Sequence, residues 1–372
     1  MPDQQEDGPT IARPRPIVGG GDAYGTHRVV APRGVLPQPA DRLDNDFARL
    51  FSGETLVAVE TLNLDAASFW QIEEAARNEV GAMAADRELE QAIAHIVART
   101  VSERGKHHNP VTGSGGMLLG RVRQVAPGRV DGGMSPGDRI ATLVSLTLTP
   151  LRIDRVLGVR RSSAQIDVEG EAVLFASGPF ARLPHDMSER LALAVFDVAG
   201  AAPQVARRVQ PGSVVVILGA AGKSGVLCAA EARRTGGPSS VVVGVDARAA
   251  AAAELESLAL CDAVRVVDAR DPVAVRRVVL DATGGREADV TFSCVNVPDA
   301  EMSAVLVTRE RGAVYFFAMS TSFTKAALGA EGVGKDVDLY IGNGYAHGHA
   351  DHTLALVRDT PSVRALFERR YG

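Results

Sequence analysis

A chain of 372 residues exceeds the usual single-domain size, and at about 150 residues per domain two domains are expected. Its 46% hydrophobic and 23% charged residues describe a globular protein with a sizeable core. With 40 Lys and Arg against 45 Asp and Glu, the net charge of -5 offers no global attraction to nucleic acid or to an anionic membrane. No apolar run reaches the roughly 18 residues that a bilayer span requires. The opening "MPDQQEDGPT" is acidic and polar, unlike a secretory signal, so a cytoplasmic location is expected.

In chain order, residues 1–21 are rich in Pro, Gly and charge and read as a disordered tail. Residues 22–187 read as a β-rich domain. Its clearest strand is "ETLVAVETLNL", alternating from Leu56 to Leu62. A helical stretch from about Ala66 to Arg104 follows, with Ile72, Ala75 and Ala76, then Leu89, Ile93, Ile96 and Val97, at three- and four-residue spacing. "MLLGRVRQVAPG" and "MSPGDRIATLVSLTLTP" return to strands and turns.

The texture changes at Ser188. "SERLALAVFDVAGAAPQVARRV" is helical, with a Ser cap and a Glu in its first turn. Near-continuous Val/Ile/Leu strands then alternate with helices, as in "SVVVILGA", "SVVVGVDA", "AVRVVDA" and "ADVTFSCV". Such strands belong to a parallel sheet covered on both faces. The fold class is therefore α/β, with a Rossmann-type doubly wound sheet over residues 188–334. Residues 335–372 are expected to rejoin and complete the β-rich domain.

Cys228, Cys261 and Cys294 are odd in number and widely spaced, which argues for buried structural thiols rather than a disulfide framework. Three cysteines also cannot supply a four-cysteine structural zinc site. The segment "AHGHADH" gathers His347, His349, Asp351 and His352, and admits a metal site or, alternatively, loop hydrogen bonding or interface packing. Helical ligand pairs are usually three or four residues apart, whereas these cluster around Gly348, so no metal is assigned.

"VVVILGAAGKSGVLCAAEA" places a glycine turn between a strand and a helix. Gly219, Ala221, Gly222, Lys223, Ser224 and Gly225 are the expected cofactor contacts. Gly222 lets the backbone approach a pyrophosphate, and Gly225 permits close helix–sheet packing. Open N–H groups at the helix start favour phosphate. Asp246 ends the next strand about twenty residues on, where a carboxylate accepts from the adenosine ribose. It favours NAD by repelling the 2′-phosphate of NADP, while Arg248 two residues later offsets that repulsion and keeps NADP possible. A nucleotide-free domain with a tight turn is the alternative.

A β-rich domain, a dinucleotide domain and a return segment together resemble the medium-chain dehydrogenase/reductase superfamily. "NPVTGSGGMLLGRV", "SPGDRIA" and "ADVTFSCV" resemble its recurrent strands and turns. Longer strings, among them "GVLPQPA", "TLNLDAASFWQI", "ERGKHHNPVTGSGGMLLG", "ATLVSLTLTPL" and "GAAGKSGVLC", resemble the L-erythro-3,5-diaminohexanoate dehydrogenases of lysine fermentation. The resemblance implies a GroES-like catalytic domain and NAD(P)-dependent oxidative deamination of that diamino acid to 5-amino-3-oxohexanoate and ammonium. A homodimer or homotetramer is expected. Where zinc relatives of the superfamily carry a catalytic Cys and a His, this chain has Asn63 and Ser114, so a metal-free active site is expected.

Amine oxidation needs proton acceptors and anionic partners for a diammonium substrate. Asp65, after the strand ending at Asn63, either contacts the reacting ammonium or caps the helix at Ala66. Lys106 either polarises the imine or pairs with the substrate carboxylate, or is a solvated loop lysine. Ser114 either hydrogen-bonds substrate or packs tightly. Asp197 interrupts an apolar helical run, and a buried carboxylate there needs the cationic substrate or a protein arginine. Two rival functions stand beside this one: a zinc-independent quinone or enoyl reductase, and a non-catalytic NAD(P)-sensing protein.

Overall fold

The computed structural model describes residues 14–81, 84–109, 115–129, 133–318, 320–342 and 344–372. The chain forms two compact units, Met1–Leu183 and Pro184–Gly372.

The first unit opens with short strands β1 (Ile17–Val18), β2 (Val29–Ala31), β3 (Arg42–Leu43) and β4 (Leu50–Phe51). β1 pairs in parallel with β4, and Arg15 binds Gln124 and Glu171, so the part of the expected tail from residue 14 on is tied to the domain. Residues 1–13 lie outside the described residues. β5 (Thr55–Asn63) then leads into α1 (Ala66–Val80) and α2 (Asp86–Arg104), followed by β6 (Met117–Val125) and β7 (Arg139–Thr142). The hairpin β8 (Leu151–Arg160) and β9 (Gln165–Leu174), with β10 (Phe180–Arg182), completes an antiparallel sheet in the order β10-β7-β6-β5-β9-β8. The single helical stretch read from sequence is two helices, because α1 stops at Gly81, whose φ of 94° a β-carbon disfavours. The apolar spacing nevertheless marks the right face: Ile72, Leu89, Ile93 and Val97 pack with Leu62, Leu118 and Ile166 of the sheet in one core.

In the second unit, α3 (Glu189–Phe196) and α4 (Ala201–Ala206) precede β11 (Val214–Leu218), α5 (Lys223–Gly236), β12 (Val241–Asp246), α6 (Ala249–Ser257) and β13 (Ala263–Val266). The alternation continues through α7 (Pro272–Thr283), β14 (Ala288–Ser293), α8 (Glu301–Val307), β15 (Thr308–Phe316), α9 (Phe323–Gly332) and β16 (Asp338–Ile341). All pairings are parallel and the order is β13-β12-β11-β14-β15-β16. Counted from β11 this is 3-2-1-4-5-6, the doubly wound dinucleotide order, with its switch point between β11 and β14. Every residue of β11 is buried, which is why its sequence is an unbroken aliphatic run.

Residues 335–372 do not complete the β-rich domain. β16 adds a strand beside β15, and α10 (His349–Asp359) and α11 (Pro361–Tyr371) pack on α3, α4 and α5. Their amphipathic pattern announces helices with an apolar face, and only the tertiary fold decides which surface covers it.

Candidate active site

The switch point is built by the glycine turn. Gly219 takes φ +72°, and its N–H and that of Ala220 donate to Val245 O at 2.8 and 3.0 Å, folding the turn against β12. A β-carbon on Gly225 would lie 2.3 Å from Gly219 O and 2.6 Å from Ala220 Cα, so only glycine lets α5 approach this closely. Gly222 is the N-cap of α5 and no side chain caps the helix. The first-turn N–H groups at Lys223, Ser224 and Gly225 therefore have no intrahelical partner and sit at the positive end of the helix dipole. Arg370 of α11 braces the turn from outside, donating to Ala221 O at 2.8 Å.

Asp246 closes the other side and is 7% exposed. Its Oδ2 accepts from Ala221 N at 3.2 Å and its Oδ1 from Arg248 N at 3.0 Å. Each oxygen keeps a second lone pair for a ligand hydroxyl. The Arg248 guanidinium stays mostly in solvent, its Nε 3.5 Å from Asp246 Oδ1. Gly219, Gly222, Asp246 and Arg248 share a cleft of about 310 Å³ with Asp268, Arg270, Cys294 and Asn296. The last four follow β13 and β14, and the rule that ligands bind outside the carboxyl ends of parallel strands could have singled them out from sequence.

Lys223 turns outward from the glycine turn. Its ammonium pairs with Asp197 at 2.7 Å and lies 5.0 Å from the Tyr371 ring centre. Asp197 itself is not the buried helical carboxylate expected: its side chain is 53% exposed, because α3 ends there as a C-cap instead of running on to Val209. Its partner is a lysine, so neither a cationic substrate nor an arginine is needed to explain it.

In the first unit, Asp65 caps α1, its Oδ1 accepting from Ser68 N at 2.9 Å. Its Oδ2 is buried with no hydrogen-bond partner. Lys106 is fully buried, and its ammonium donates to the carbonyls of Pro37 and Gln38 at 2.7 and 2.9 Å. Burial, helped by the nearby Arg104 charge, lowers its pKa to about 8 against the pull of Asp41. Two of its three donors thus hold the 37–38 loop, and it is not the solvated lysine of one sequence reading. Ser114 lies outside the described residues. Asn63 Oδ1 accepts from Gln165 Nε2 at 3.0 Å, a neutral amide pair.

Two histidines beside Lys106 were not singled out from sequence. His107 is 2% exposed with both ring nitrogens unpartnered, and His108 has an unpartnered Nδ1. Their signal was the string "KHHNP", which carries no spacing rule. Among the described residues no three His, Cys, Asp or Glu side chains come together as a metal cluster. His352 of the "AHGHADH" segment instead reaches Glu231 at 3.1 Å, while His349 begins α10. Cys228 is buried, whereas Cys261 and Cys294 are half-buried, and Cys228 Sγ lies 3.8 Å from Cys294 Sγ. No helix among the described residues is long and apolar enough to cross a membrane.

Comparison with known proteins agrees with this architecture. The Escherichia coli quinone oxidoreductase complexed with NADPH superposes with a TM-score of 0.50 at 17% identity, covering 84% of this chain and 80% of that one, a likeness of fold alone. The family model for the L-erythro-3,5-diaminohexanoate dehydrogenase N-terminal domain matches residues 27–184. The L-erythro-3,5-diaminohexanoate dehydrogenase of Acetoanaerobium sticklandii is 49% identical over 354 residues, 94% of this chain and 99% of that protein. That of Fusobacterium nucleatum subsp. nucleatum is 49% identical over 356 residues with the same coverage. The chain therefore belongs to the L-erythro-3,5-diaminohexanoate dehydrogenase family.

Proposed function

We propose that this chain oxidatively deaminates L-erythro-3,5-diaminohexanoate to 5-amino-3-oxohexanoate and ammonium, using NAD in preference to NADP, in the cytoplasm. The observation that carries the reading is 49% identity across 94% of the chain to two dehydrogenases named for that substrate. The uncapped start of α5 and the close-packed Gly225 fit a dinucleotide: N–H groups of Lys223, Ser224 and Gly225 would hold the pyrophosphate, and Asp246 the adenosine ribose. When bound, an oxidised nicotinamide supplies the hydride acceptor. Asp65 would hold the reacting ammonium, a role that its buried, unpartnered Oδ2 supports, and Lys106 orders the loop it anchors. The assembly proposed is a homodimer or homotetramer.

The direct test follows nicotinamide absorbance at 340 nm while NAD and the diamino acid are supplied. Turnover that survives treatment with a chelator is expected, since Asn63 and Ser114 stand where zinc relatives of the superfamily carry ligands. No turnover with this substrate would reject the reading.

Asp246→Asn is expected to weaken NAD binding about tenfold and to narrow the preference over NADP, because the ribose loses a charged acceptor. Separate Kd measurements for the two nucleotides check this. A native enzyme that already prefers NADP would remove Asp246 as selector and shift that role to Arg248.

A further inference from the structure

The deamination reading leaves a fully buried imidazole without a role. His107 is 2% exposed and neither ring nitrogen has a partner, and Asp65 Oδ2 is in the same condition. An unsatisfied buried polar group costs about 1–3 kcal/mol, so each of the two calls for a partner that satisfies it.

The segments that carry the two residues pack on one glycine pair, and the Asp65 charge is felt at the His107 ring. A β-carbon on Gly115 would lie 3.0 Å from His107 O. One on Gly116 would lie 2.2 Å from Asn63 O and 2.7 Å from Leu64 Cα, immediately before Asp65. Asn109 Nδ2 donates to Gln71 Oε1 at 2.8 Å, tying the His107 segment to the helix that Asp65 caps.

Resting on the proposed deamination, we propose that a ring nitrogen of His107 and Oδ2 of Asp65 together seat the reacting ammonium, His107 accepting its proton and Asp65 balancing its charge. Burial lowers the His107 pKa to about 4, against an opposing pull from the Asp65 charge, so the ring is neutral at physiological pH. A neutral ring offers a lone pair, whereas an imidazolium would repel a substrate carrying two ammonium groups.

The C3 ammonium gives one proton to His107, and the freed lone pair expels the C3 hydride, with its electron pair, to the nicotinamide. Water adds to the resulting iminium carbon, and one of its protons passes to nitrogen. The C–N bond then breaks, and the hydroxyl proton leaves with the ammonia as ammonium, giving the ketone. The proton left on His107 returns to solvent. Moving the positive charge from substrate nitrogen to imidazole creates no new charge in the buried site, and Asp65 stays beside it throughout.

The test compares wild-type protein with His107→Gln, whose amide fills similar space but cannot take the proton. Expected results are a kcat for 3,5-diaminohexanoate about 100-fold lower, with NAD Kd and melting temperature near wild type. In 15N-histidine spectra, the ring signal missing from the variant is expected to be one that shifts when the diamino acid is added to wild-type protein. Should Gln prevent folding, His107→Met, which lacks any ring nitrogen, gives the same comparison. A variant kcat within about threefold of an active wild type, or a His107 signal indifferent to the substrate, overturns the pair alone. An inactive wild type overturns the deamination reading and the pair with it.

Discussion

Asp65→Asn is expected to lower kcat for 3,5-diaminohexanoate about 100-fold or more while the melting temperature stays within about 2 °C of wild type. In the proposed site the two carboxylate oxygens have separate duties, which makes this substitution informative. Oδ1 accepts from Ser68 N at 2.9 Å and starts α1, a task that the Asn carbonyl performs equally well. Oδ2 is buried and unpartnered, and in Asn it becomes an NH2 that would point donors at an ammonium. Capping and chemistry therefore fail separately. Loss of a cap costs about 1 kcal/mol and leaves kcat alone, whereas loss of the charge leaves the fold alone. Steady-state kinetics and a thermal melt of the same preparation decide between them: near-native turnover would make Asp65 a cap and nothing more.

That second oxygen was not visible in the sequence, where Asp before a helix reads equally well as cap or ligand. What was legible follows from local rules. The doubly wound sheet showed itself because strands such as Val214–Leu218 are buried on both faces and must be aliphatic throughout. The glycine turn did so because Gly225 touches the backbone of Gly219 and Ala220, leaving no room for a side chain. What was misread depends on partners distant in sequence. Asp197 sits in an apolar run, but the chain leaves the helix at that residue and delivers it to Lys223. β16 is a four-residue edge strand whose membership of the second sheet comes from pairing with β15. The burial of Lys106 and His107 is set by packing from segments far along the chain, such as the carbonyls at Pro37 and Gln38.

Glu54→Ala is expected to destabilise the β-rich domain by roughly 3–5 kcal/mol, a larger effect on folding than any change at the proposed site. The side chain of Arg28 is completely buried, and its guanidinium is held bidentately by Glu54, Nε and Nη2 each 2.8 Å from an oxygen. Glu54 also meets His27 Nε2 at 2.9 Å, while His27 Nδ1 faces Asp22 at 3.2 Å. Removing Glu54 leaves Arg28 with Asp44, half-exposed and 3.2 Å away, and with the carbonyls of Asp46 and Arg49. Burial alone would raise the Glu54 carboxyl, but hydrogen bonds from Arg28 and His27 hold it below its ordinary 4.5. Burial likewise opposes charge on His27, yet Glu54 and Asp22 raise it above 6.5. The Glu54 contribution is thus complete above about pH 4.5 and is lost as pH falls through the lowered value. The His27 contribution is complete below about pH 6.5 and is lost as pH rises through the raised value. The network is therefore strongest between those limits, and denaturant melts of wild type and Glu54→Ala should differ most there. A difference below about 1 kcal/mol across that window would show that Asp44 and the two carbonyls suffice to hold Arg28.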